Sequence, residues 1–300
     1  MAQQLRTLRR RIESVKSTQK ITRAMELIAS SRIIRAQQRV EAARPYADTI
    51  RRLVGSVAGG ATNVEHPLLT PRDDASGSGT IIVTSDRGLA GAYNANVVRA
   101  AERDIRERDG GDKLYVIGKK GVSYFRFRGH ELEDSWTGFS EQPRIENARE
   151  VARRVSAAFV EREVDRLRLA FTSFESALTQ RPTVVPLLPV PTEKLDDAAG
   201  GAAPGTRAQY EFEPPPEEIL DYLLPRYVEG VVYQTLLESA ASELAARRRA
   251  MKAATDNAEE LIEDLTRVFN QARQAEITTE IMEVVGGAEA LTAASDRRAR

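Results

Sequence analysis

The stretch SDRGLAGAYNANV, residues 85–97, has the residue types of a phosphate-binding turn. It contains two glycines beside Asp86 and Arg87, and it lies where a strand is expected to lead into a helix. Backbone N–H groups at such a helix start can bind an anion. However, the spacing is not G-x-G-x-x-G, and no acidic partner for a ribose ends the next strand. We therefore favour a tight strand-to-helix connection with an Asp86–Arg87 ion pair, and keep a nucleotide-binding enzyme as the alternative.

Few other residues could perform chemistry. The stretch GKKG, residues 118–121, lacks the spacing of a Walker A loop. The chain has no cysteine, which excludes disulfides and thiolate nucleophiles. Its two histidines, His66 and His130, have no acidic or histidine neighbours at ligand spacing, and we interpret the single tryptophan, Trp136, as a packing residue. The sequence thus predicts no catalytic residue, no metal site and no cofactor.

The composition is typical of a soluble protein with a packed core. Hydrophobic residues make up 41% of the chain and charged residues 29%, which excludes a disordered chain. No window reaches the roughly 18 consecutive apolar residues that a membrane-spanning helix needs. Residues 1–15 have neither the apolar region and cleavage site of a secretory signal nor the features of a transit peptide. This favours a bacterial protein, and a processed organellar chain is the alternative.

The two ends of the chain have opposite charge, although the net charge of the whole is zero. Residues 1–57 contain thirteen Lys or Arg and four Asp or Glu, a net charge of +9, whereas residues 217–287 contain seven and fourteen, a net charge of −7. A basic end alone would suggest nucleic acid or an anionic membrane surface. The basic clusters have no interleaved aromatic residues, so we expect the two ends to pair with each other and expect no nucleic-acid partner.

The first segment has the alternating three- and four-residue spacing of a coiled-coil seam. The seam consists of Leu5, Leu8, Ile12, Val15, Ala29, Ile33, Ala36, Val40, Ala43, Ala47, Ile50, Val54 and Val57. Three polar positions interrupt it: Gln19, Thr22 and Glu26. Three apolar neighbours are expected to make the contacts there: Ile21, Met25 and Ile28. Pro45 lies inside the pattern and is expected to kink or interrupt the helix.

A second long helix is predicted from about residue 217 to the pair Gly286–Gly287. Its seam consists of Leu237, Ala241, Leu244, Met251, Ala258, Ile262, Leu265, Phe269 and Ala272, with Arg248 and Thr255 as exceptions. At ~1.5 Å per residue this helix would be on the order of 100 Å long. It must therefore extend beyond any compact domain, and it needs a partner helix.

We expect the two long helices to form an antiparallel coiled coil. Bulky seam residues are missing from the second helix at AMKAATDNA, residues 250–258, and from the first helix around Thr22. If these two sections, which lack bulky seam residues, lie opposite each other, Thr22 faces Ala254. Lys252, Asp256 and Asn257, with Arg247 just before them, are then expected to face outward, where another protein would contact them.

The same pairing leaves the end of the second helix, beyond about residue 276, without a partner helix. Apolar residues at this tip are Ile277, Ile281, Met282, Val284 and Val285. An exposed apolar surface of this kind marks an interaction site, so we expect another protein to surround the tip.

The central segment alternates strands with helices, which predicts a mainly parallel sheet covered on both faces. The predicted strands are residues 80–85, 113–118, 167–174 and 183–190, with a helix after the 85–97 turn, a short helix from 119 and a helix over 145–163. The fold class is α/β: an antiparallel coiled coil of the long terminal helices plus a small Rossmann-like three-layer α/β domain. The predicted domains are a helix over 1–58, the α/β domain over 75–192, a flexible loop over 193–213, a helix over 214–287 and a tail over 288–300.

Several stretches resemble the gamma chain of F-type ATP synthases. They are TQKITRAMELIASSR (18–32), RPYA (44–47), SDRGLAGAYNAN (85–96), EGVVYQTLLESAASELAARRRAMKAATDNA (229–258) and ITTEIMEVVGGAEAL (277–291). The last two are specific to the family, and the resemblance covers nearly the whole chain. Ala90 stands where many members have Cys. The resemblance explains least about residues 193–209 and the tail TAASDRRAR.

The resemblance implies a central rotor stalk, a non-catalytic subunit that binds no nucleotide. Its coiled coil would lie inside a ring of alpha and beta chains, and its α/β domain would meet the epsilon chain and the membrane ring of c chains. Proton or sodium-ion flow would turn it and so drive ATP synthesis in the beta chains. The expected location is peripheral, on the cytoplasmic side of a bacterial cell membrane.

By position, the resemblance also implies contacts with the catalytic ring. The residues concerned are Met25, Arg247, Lys252, Arg273, Gln274, Thr278, Glu280, Ile281 and Val285. For each of them, a solvated helix position or a packing position is the alternative. For the whole chain, the alternatives are a coiled-coil scaffold with an α/β head that is unrelated to ATP synthesis, and the nucleotide-binding α/β enzyme.

Overall fold

A computed structural model describes residues 2–60, 66–72, 77–108, 111–191 and 213–298. The helices are α1 (Ala2–Gly60), α2 (Tyr93–Glu107), α3 (Lys119–Phe127), α4 (Ile145–Val160) and α5 (Pro216–Arg298). The strands are β1 (Ser78–Val83), β2 (Lys113–Ile117), β3 (Asp134–Trp136), β4 (Arg166–Phe174) and β5 (Gln180–Leu188). The chain divides into two compact units, which we call the helical unit (Met1–Leu27 with Ala250–Arg300) and the α/β unit (Ile28–Arg249).

The α/β unit contains a five-stranded sheet with the strand order β3-β2-β1-β4-β5. Strands β1 to β4 pair in parallel, and the edge strand β5 is antiparallel to β4. The four predicted strands are confirmed, with bounds shifted by one to three residues. Strand β3 was missed because three residues are too few to show an alternating pattern.

Alternate residues of the strands face opposite layers, as the pleat requires. Ile82, Val116 and Ala170 pack with residues of α2 and α3. Their strand neighbours, including Ile81 and Leu169, pack on the other face with α4 and with parts of α1 and α5. The predicted three-layer arrangement is confirmed, and Trp136 is buried in the second of these layers, which agrees with a packing role.

Both long helices continue past the residues that were expected to end or interrupt them. Helix α1 is continuous through Pro45, where buried residues such as Ala47 and Ile50 follow directly. Proline removes one backbone hydrogen bond, and tertiary packing maintains the helix around it. Helix α5 passes Gly286–Gly287 and ends at Arg298, because glycine weakens a helix by only about 1 kcal/mol. The predicted loop over 193–213 falls almost entirely outside the described residues, and the domain boundaries stay predictions.

Within the α/β unit, α1 and α5 form the predicted seam. Ile33 and Val40 of α1 lie in one apolar cluster with Leu237, Ala241 and Leu244 of α5. Residues near the end of α1 contact residues near the start of α5, since Gly230 lies close to Tyr46 and Ile50. This is antiparallel pairing in the predicted register.

In the helical unit the pairing centres on two threonines. The hydroxyls of Thr22 and Thr255 are buried and lie 2.8 Å apart, one residue from the predicted pairing of Thr22 with Ala254. We expected Ile21 and Ile28 to make the seam contacts here in place of the polar residues. This expectation was wrong, because both side chains are more than half exposed. Thr22 itself occupies the seam, and its hydroxyl is satisfied by Thr255 or by the carbonyl of Gln19.

Charge does not join the two helices in this unit. Among its described residues, the ion pairs connect neighbours on one helix: Arg9–Glu13, Lys252–Asp256 and Arg267–Asp264. The helices pair as expected, but the opposite net charges of the two ends do not supply the contacts. The buried threonine pair supplies a contact between the helices, and the seam residues Met251 and Ala258 are also buried.

The threonine pair makes a measurable prediction. Each hydroxyl also reaches a carbonyl of its own helix, Gln19 for Thr22 and Met251 for Thr255. Replacing one threonine by valine should therefore cost at most about 1 kcal/mol of unfolding free energy, since the remaining hydroxyl keeps an acceptor. The double replacement Thr22→Val with Thr255→Val should be near neutral. A double-mutant cycle by chemical denaturation measures this, and a double variant that loses twice the single cost would contradict the shared hydrogen bond.

Candidate functional site, a helix-docking network

The turn after β1 is closed by its own side chains. Ser85 donates from its hydroxyl to the carbonyl of Arg87 at 2.6 Å, and its N–H donates to Asn94 Oδ1 at 2.9 Å. The N–H of Asp86 donates to Ser140 Oγ at 2.8 Å. These N–H groups, which a phosphate-binding turn would direct at a ligand, are already used inside the protein. The geometry therefore favours the structural interpretation of residues 85–97.

Asp86 organises three backbone segments. Its carboxylate accepts N–H donations from Gly138 at 2.9 Å, Ser140 at 3.0 Å and Lys119 at 3.1 Å. Burial alone would raise the pKa of Asp86, but these hydrogen bonds outweigh burial and hold its pKa below the ordinary value. The predicted Asp86–Arg87 ion pair was wrong, because these donors occupy Asp86 and Arg87 turns to Glu141.

Glu141 is the centre of a group of charges that we call the docking network: Arg32, Arg87, Glu141, Glu243 and Arg247. One oxygen of Glu141 accepts from Arg32 of α1 at 2.8 Å. The other lies 3.1 Å from Arg247 of α5 and 3.3 Å from Arg87 of the turn. A single carboxylate in the loop before α4 thus connects both long helices with the sheet.

Arg247 makes the most enclosed contacts of the network. Its guanidinium bonds Glu243 Oε1 at 2.6 Å and the carbonyl of Gly88 at 3.3 Å, in addition to Glu141. Only 7% of its side chain and 1% of that of Glu243 are exposed. The expectation that Arg247 faces outward was wrong, because these acceptors draw it onto the turn and the loop. Its role as a contact of the catalytic ring stays a prediction.

Burial raises the pKa of Glu243 to about 7, although Arg247 opposes the shift. A carboxyl whose folded pKa is above its unfolded value stabilises the fold while protonated and loses that contribution as pH rises through the folded pKa. Relative to Glu243→Gln, the unfolding free energy of the wild-type chain should therefore fall by about 2 kcal/mol between pH 5.5 and pH 8. Denaturation of both chains across this range measures it, and a constant difference would contradict the raised pKa.

The turn after β1 also contains a residue, Leu89, whose backbone is strained and whose side chain is exposed. The backbone of Leu89 has φ of +63°, a conformation that residues other than glycine rarely adopt. Leu89 is also 62% exposed. Such strain persists where the surrounding structure fixes it and is common at contact sites. Leu89 follows Gly88, whose carbonyl accepts from Arg247. The turn that carries this exposed side chain thus also contacts the docking network, through Arg87 and through the carbonyl of Gly88.

The helical unit contains the other predicted contact residues. Met25 is half-buried, and Lys252, although it pairs with Asp256, is exposed. The remaining six are all exposed on the last part of α5: Arg273, Gln274, Thr278, Glu280, Ile281 and Val285. Thr278 donates to the carbonyl of Gln274 at 2.9 Å, within the same helix. The tip is apolar and uncovered in this chain, since Ile281 is 57% and Val285 49% exposed.

Sequence reasoning missed three members of the network: Arg32, Glu141 and Glu243. Glu141 lies in the loop stretch TGFSEQP, which has no periodicity or motif. Glu243 lies four residues before Arg247, a spacing that permits an ion pair on a helix. That spacing was the one available signal.

Within the described parts of the chain, no group of three or more His, Cys, Asp or Glu side chains has metal-binding geometry. None of the helices in the same parts is both long and apolar enough to cross a membrane.

Two solved structures of a mitochondrial ATP synthase contain chains with this fold. The chain matches one chain of a Euglena gracilis mitochondrial ATP synthase (OSCP, F1 and c-ring) with a TM-score of 0.72 and 17% identity, over 98% of this chain and 97% of that one. A chain of the rotor of the same synthase matches with a TM-score of 0.66 and 16% identity, over 92% and 100%. These identities show the fold alone.

Sequence comparison defines the family. A family model described as ATP synthase matches residues 4–291. The ATP synthase gamma chain of Acidothermus cellulolyticus is 54% identical over 98% of this chain and 99% of its own length. The gamma chain of Frankia casuarinae is 51% identical over 97% and 99%. The chain belongs to the ATP synthase gamma-chain family.

Proposed function

We propose that this chain is the central rotor stalk of an F-type ATP synthase, a non-catalytic subunit that transmits rotation between a membrane ring and the catalytic beta chains. The observation that carries the proposal is the 54% identity to a gamma chain over nearly the full length of both proteins. Because the match includes both long helices and the sheet, it extends to every part that a stalk needs.

The docking network suits a part that must transmit torque. Rotation applies a lateral load where a long helix meets a small domain, and apolar seams alone resist sliding poorly. Glu141 bonds α1, α5 and the turn after β1 at the same time. Arg247, Glu243 and Glu141 are enclosed, whereas the side chains of Arg32 and Arg87 are 42% and 69% exposed. The enclosed charges resist displacement most, because moving one partner leaves the other buried and uncompensated. We infer that this network keeps the helices and the sheet turning together.

The tip of α5 suits contact with a surrounding ring. Its apolar residues Ile281 and Val285 are exposed, and patches of this kind mark interaction sites. In the proposed assembly the helical unit lies inside the ring of alpha and beta chains, and the polar contact residues Lys252, Arg273 and Gln274 meet different beta chains in turn. A stalk that binds the open and closed states of each beta chain unequally shifts their populations without touching the nucleotide.

The proposed partners at the other end are the epsilon chain and the c-chain ring. A matching solved structure contains F1 and a c-ring together, which supports membership of such a complex. Because the gamma-chain relatives come from bacteria, we place the chain peripherally on the cytoplasmic side of the cell membrane. The driving ion, proton or sodium, depends on the membrane ring and not on this chain.

Co-purification tests the proposal against its two alternatives. The chain is co-expressed with alpha and beta chains of a gamma-chain relative, with an affinity tag on beta. The proposal expects this chain to elute with the tagged ring, and a scaffold unrelated to ATP synthesis would stay in the flow-through. Titration of the isolated chain with ATP separates the third possibility, since saturable binding would favour the nucleotide-binding enzyme.

A further inference from the structure

A cavity of about 380 Å³ lies in the α/β unit, away from the docking network. Its apolar walls include Leu69, Leu167, Leu188 and Val190, together with prolines of the segment that follows β5. This volume is within the range that small-molecule sites occupy. The cavity also lies at the irregularity in the pairing of β4 with β5, between Leu167 and Arg168, and such bulges often re-aim side chains next to binding sites.

Three arginines line the same cavity: Arg108, Arg166 and Arg168. Two carboxylates partly neutralise them, since Asp104 bonds Arg108 at 2.6 Å and Arg168 at 3.0 Å, and Asp112 bonds Arg108 at 3.1 Å. Arg166 is exposed and forms no ion pair among the described residues. Among the described residues at the cavity, three arginines against two carboxylates leave one positive charge in excess.

The arginines also have unused hydrogen-bonding capacity. Nε and Nη1 of Arg108 and Nε of Arg168 are buried and have no acceptor among the described residues, and one oxygen of Asp112 is likewise unpartnered. Buried donors without a partner are uncommon in folded proteins and call for an explanation. Both arginines line the cavity, so an anion bound there lies next to these donors. Guanidinium groups fit phosphate oxygens well because two parallel N–H bonds can form.

The neighbouring edge strand argues against an added peptide strand. Strand β5 is at the edge of the sheet, where an extended peptide could pair with it. Pro182 and Pro186 lie within β5, and proline removes the N–H that such pairing needs. The cavity therefore suits a small molecule better than a peptide.

We propose that this cavity binds a small amphipathic anion, with a phosphate head on Arg166, Arg168 and Arg108 and a short apolar body against the leucine and proline walls. The site is independent of the rotor function proposed above, because it shares no residue with the docking network or with the tip of α5. Either the headgroup region of an anionic lipid or a free phosphate ester could supply this chemistry.

Calorimetric titration of the full-length chain tests the site with three probes: hexyl phosphate, inorganic phosphate and hexanol. We expect saturable binding of hexyl phosphate, at least roughly tenfold tighter than inorganic phosphate, because burial of even two of its CH₂ groups contributes about 1.6 kcal/mol. Hexanol, which lacks the charged head, should show no saturable binding. Absence of saturable hexyl phosphate binding would overturn the proposal.

Paired arginine variants locate the binding. Arg166→Gln should weaken hexyl phosphate binding roughly tenfold, the effect of losing a charge-assisted hydrogen bond, and should leave the melting temperature unchanged because Arg166 is exposed. Arg106→Gln is the matched control, since Arg106 is exposed near the end of α2 but does not line the cavity. Equal weakening by both variants would show general charge attraction and overturn the site.

Vesicle flotation identifies the source of the anion. Vesicles of phosphatidylglycerol mixed with phosphatidylcholine are compared with vesicles of phosphatidylcholine alone. If the chain floats with the anionic vesicles and Arg166→Gln does not, the site is supported and a lipid headgroup is its ligand. If the chain stays in solution while hexyl phosphate binds with the same arginine dependence, the site is supported and a free phosphate ester is its ligand.

Discussion

At pH 8, above the raised pKa of Glu243, replacement of Arg247 by methionine is expected to lower the unfolding free energy of the α/β unit by up to about 3–5 kcal/mol, the cost of leaving one partner of a buried ion pair alone. The substitution removes the contacts to Glu243, Glu141 and Gly88 together. Methionine has a comparable length, so the loss is mainly electrostatic and leaves no large cavity. Urea denaturation of the purified chain measures the change.

Arg248→Met is the matched control for this prediction, because Arg248 is the next residue of α5 and its side chain is exposed. It should change the unfolding free energy by less than about 0.5 kcal/mol, as expected for a surface position. The double variant Glu243→Gln with Arg247→Met should recover part of the loss, since it no longer buries an unpaired charge. Equal effects of Arg247→Met and Arg248→Met would contradict the account of the docking network.

The functional consequence of Arg247→Met is a loss of coupling. If the network keeps the helices and the sheet turning together, an assembled synthase with this variant should hydrolyse ATP while pumping fewer ions per ATP. Proton pumping into inverted vesicles, divided by the hydrolysis rate of the same vesicles, measures the ratio. A variant that assembles and pumps with the normal ratio would show that the network stabilises the fold without transmitting torque.

Charged substitutions at the tip of α5 are expected to give the second large effect. Ile281→Glu with Val285→Glu should weaken assembly with the alpha and beta chains at least roughly 100-fold, because burying two apolar side chains contributes about 1.5–3 kcal/mol each. Both residues are exposed in the chain alone, so the double variant should unfold at the same denaturant concentration as the wild type. Pull-down with a tagged beta chain at several concentrations measures the loss.

Val160→Glu is the matched control for the tip. Val160 is 51% exposed at the end of α4, in the α/β unit, so it has similar exposure outside the proposed ring contact. It should assemble normally. If the tip variant also assembles normally, the exposed apolar residues of α5 are not the part that the ring holds.

The pairing of the long helices was predictable because it depends on a repeated pattern. The seven-residue spacing and the two sections without bulky seam residues placed Thr22 within one residue of its partner Thr255. The choice of Ile21 and Ile28 at the apparent lapse failed for a physical reason. A buried threonine can bond a hydroxyl or its own helix carbonyl, so a polar residue can occupy the seam without shifting it.

The docking network was not predictable to the same degree, because it joins residues that are distant in the sequence. Glu141 lies in a loop and Arg247 in a helix, and the local sequence around either residue does not indicate the other. Their contact follows from how the sheet places the loop. The absence of nucleotide motifs favoured a structural role for residues 85–97, and the internal hydrogen bonds of the turn agree with that interpretation. The sequence did not reveal what the turn contacts. Strand β3 was missed because it is only three residues long. The predicted end of helix α5 at Gly286–Gly287 was too early, because no capping geometry ends the helix there.

Observation of rotation tests the central proposal most directly. Because the chain contains no cysteine, Glu131→Cys, at an exposed position of the α/β unit, provides a unique attachment point for a visible probe. The alpha and beta chains are fixed to a surface, and ATP hydrolysis by the same assemblies is recorded. The account predicts that the probe turns in one direction while ATP is consumed. A probe that stays fixed in assemblies that hydrolyse ATP would contradict the proposal that this chain is the rotor.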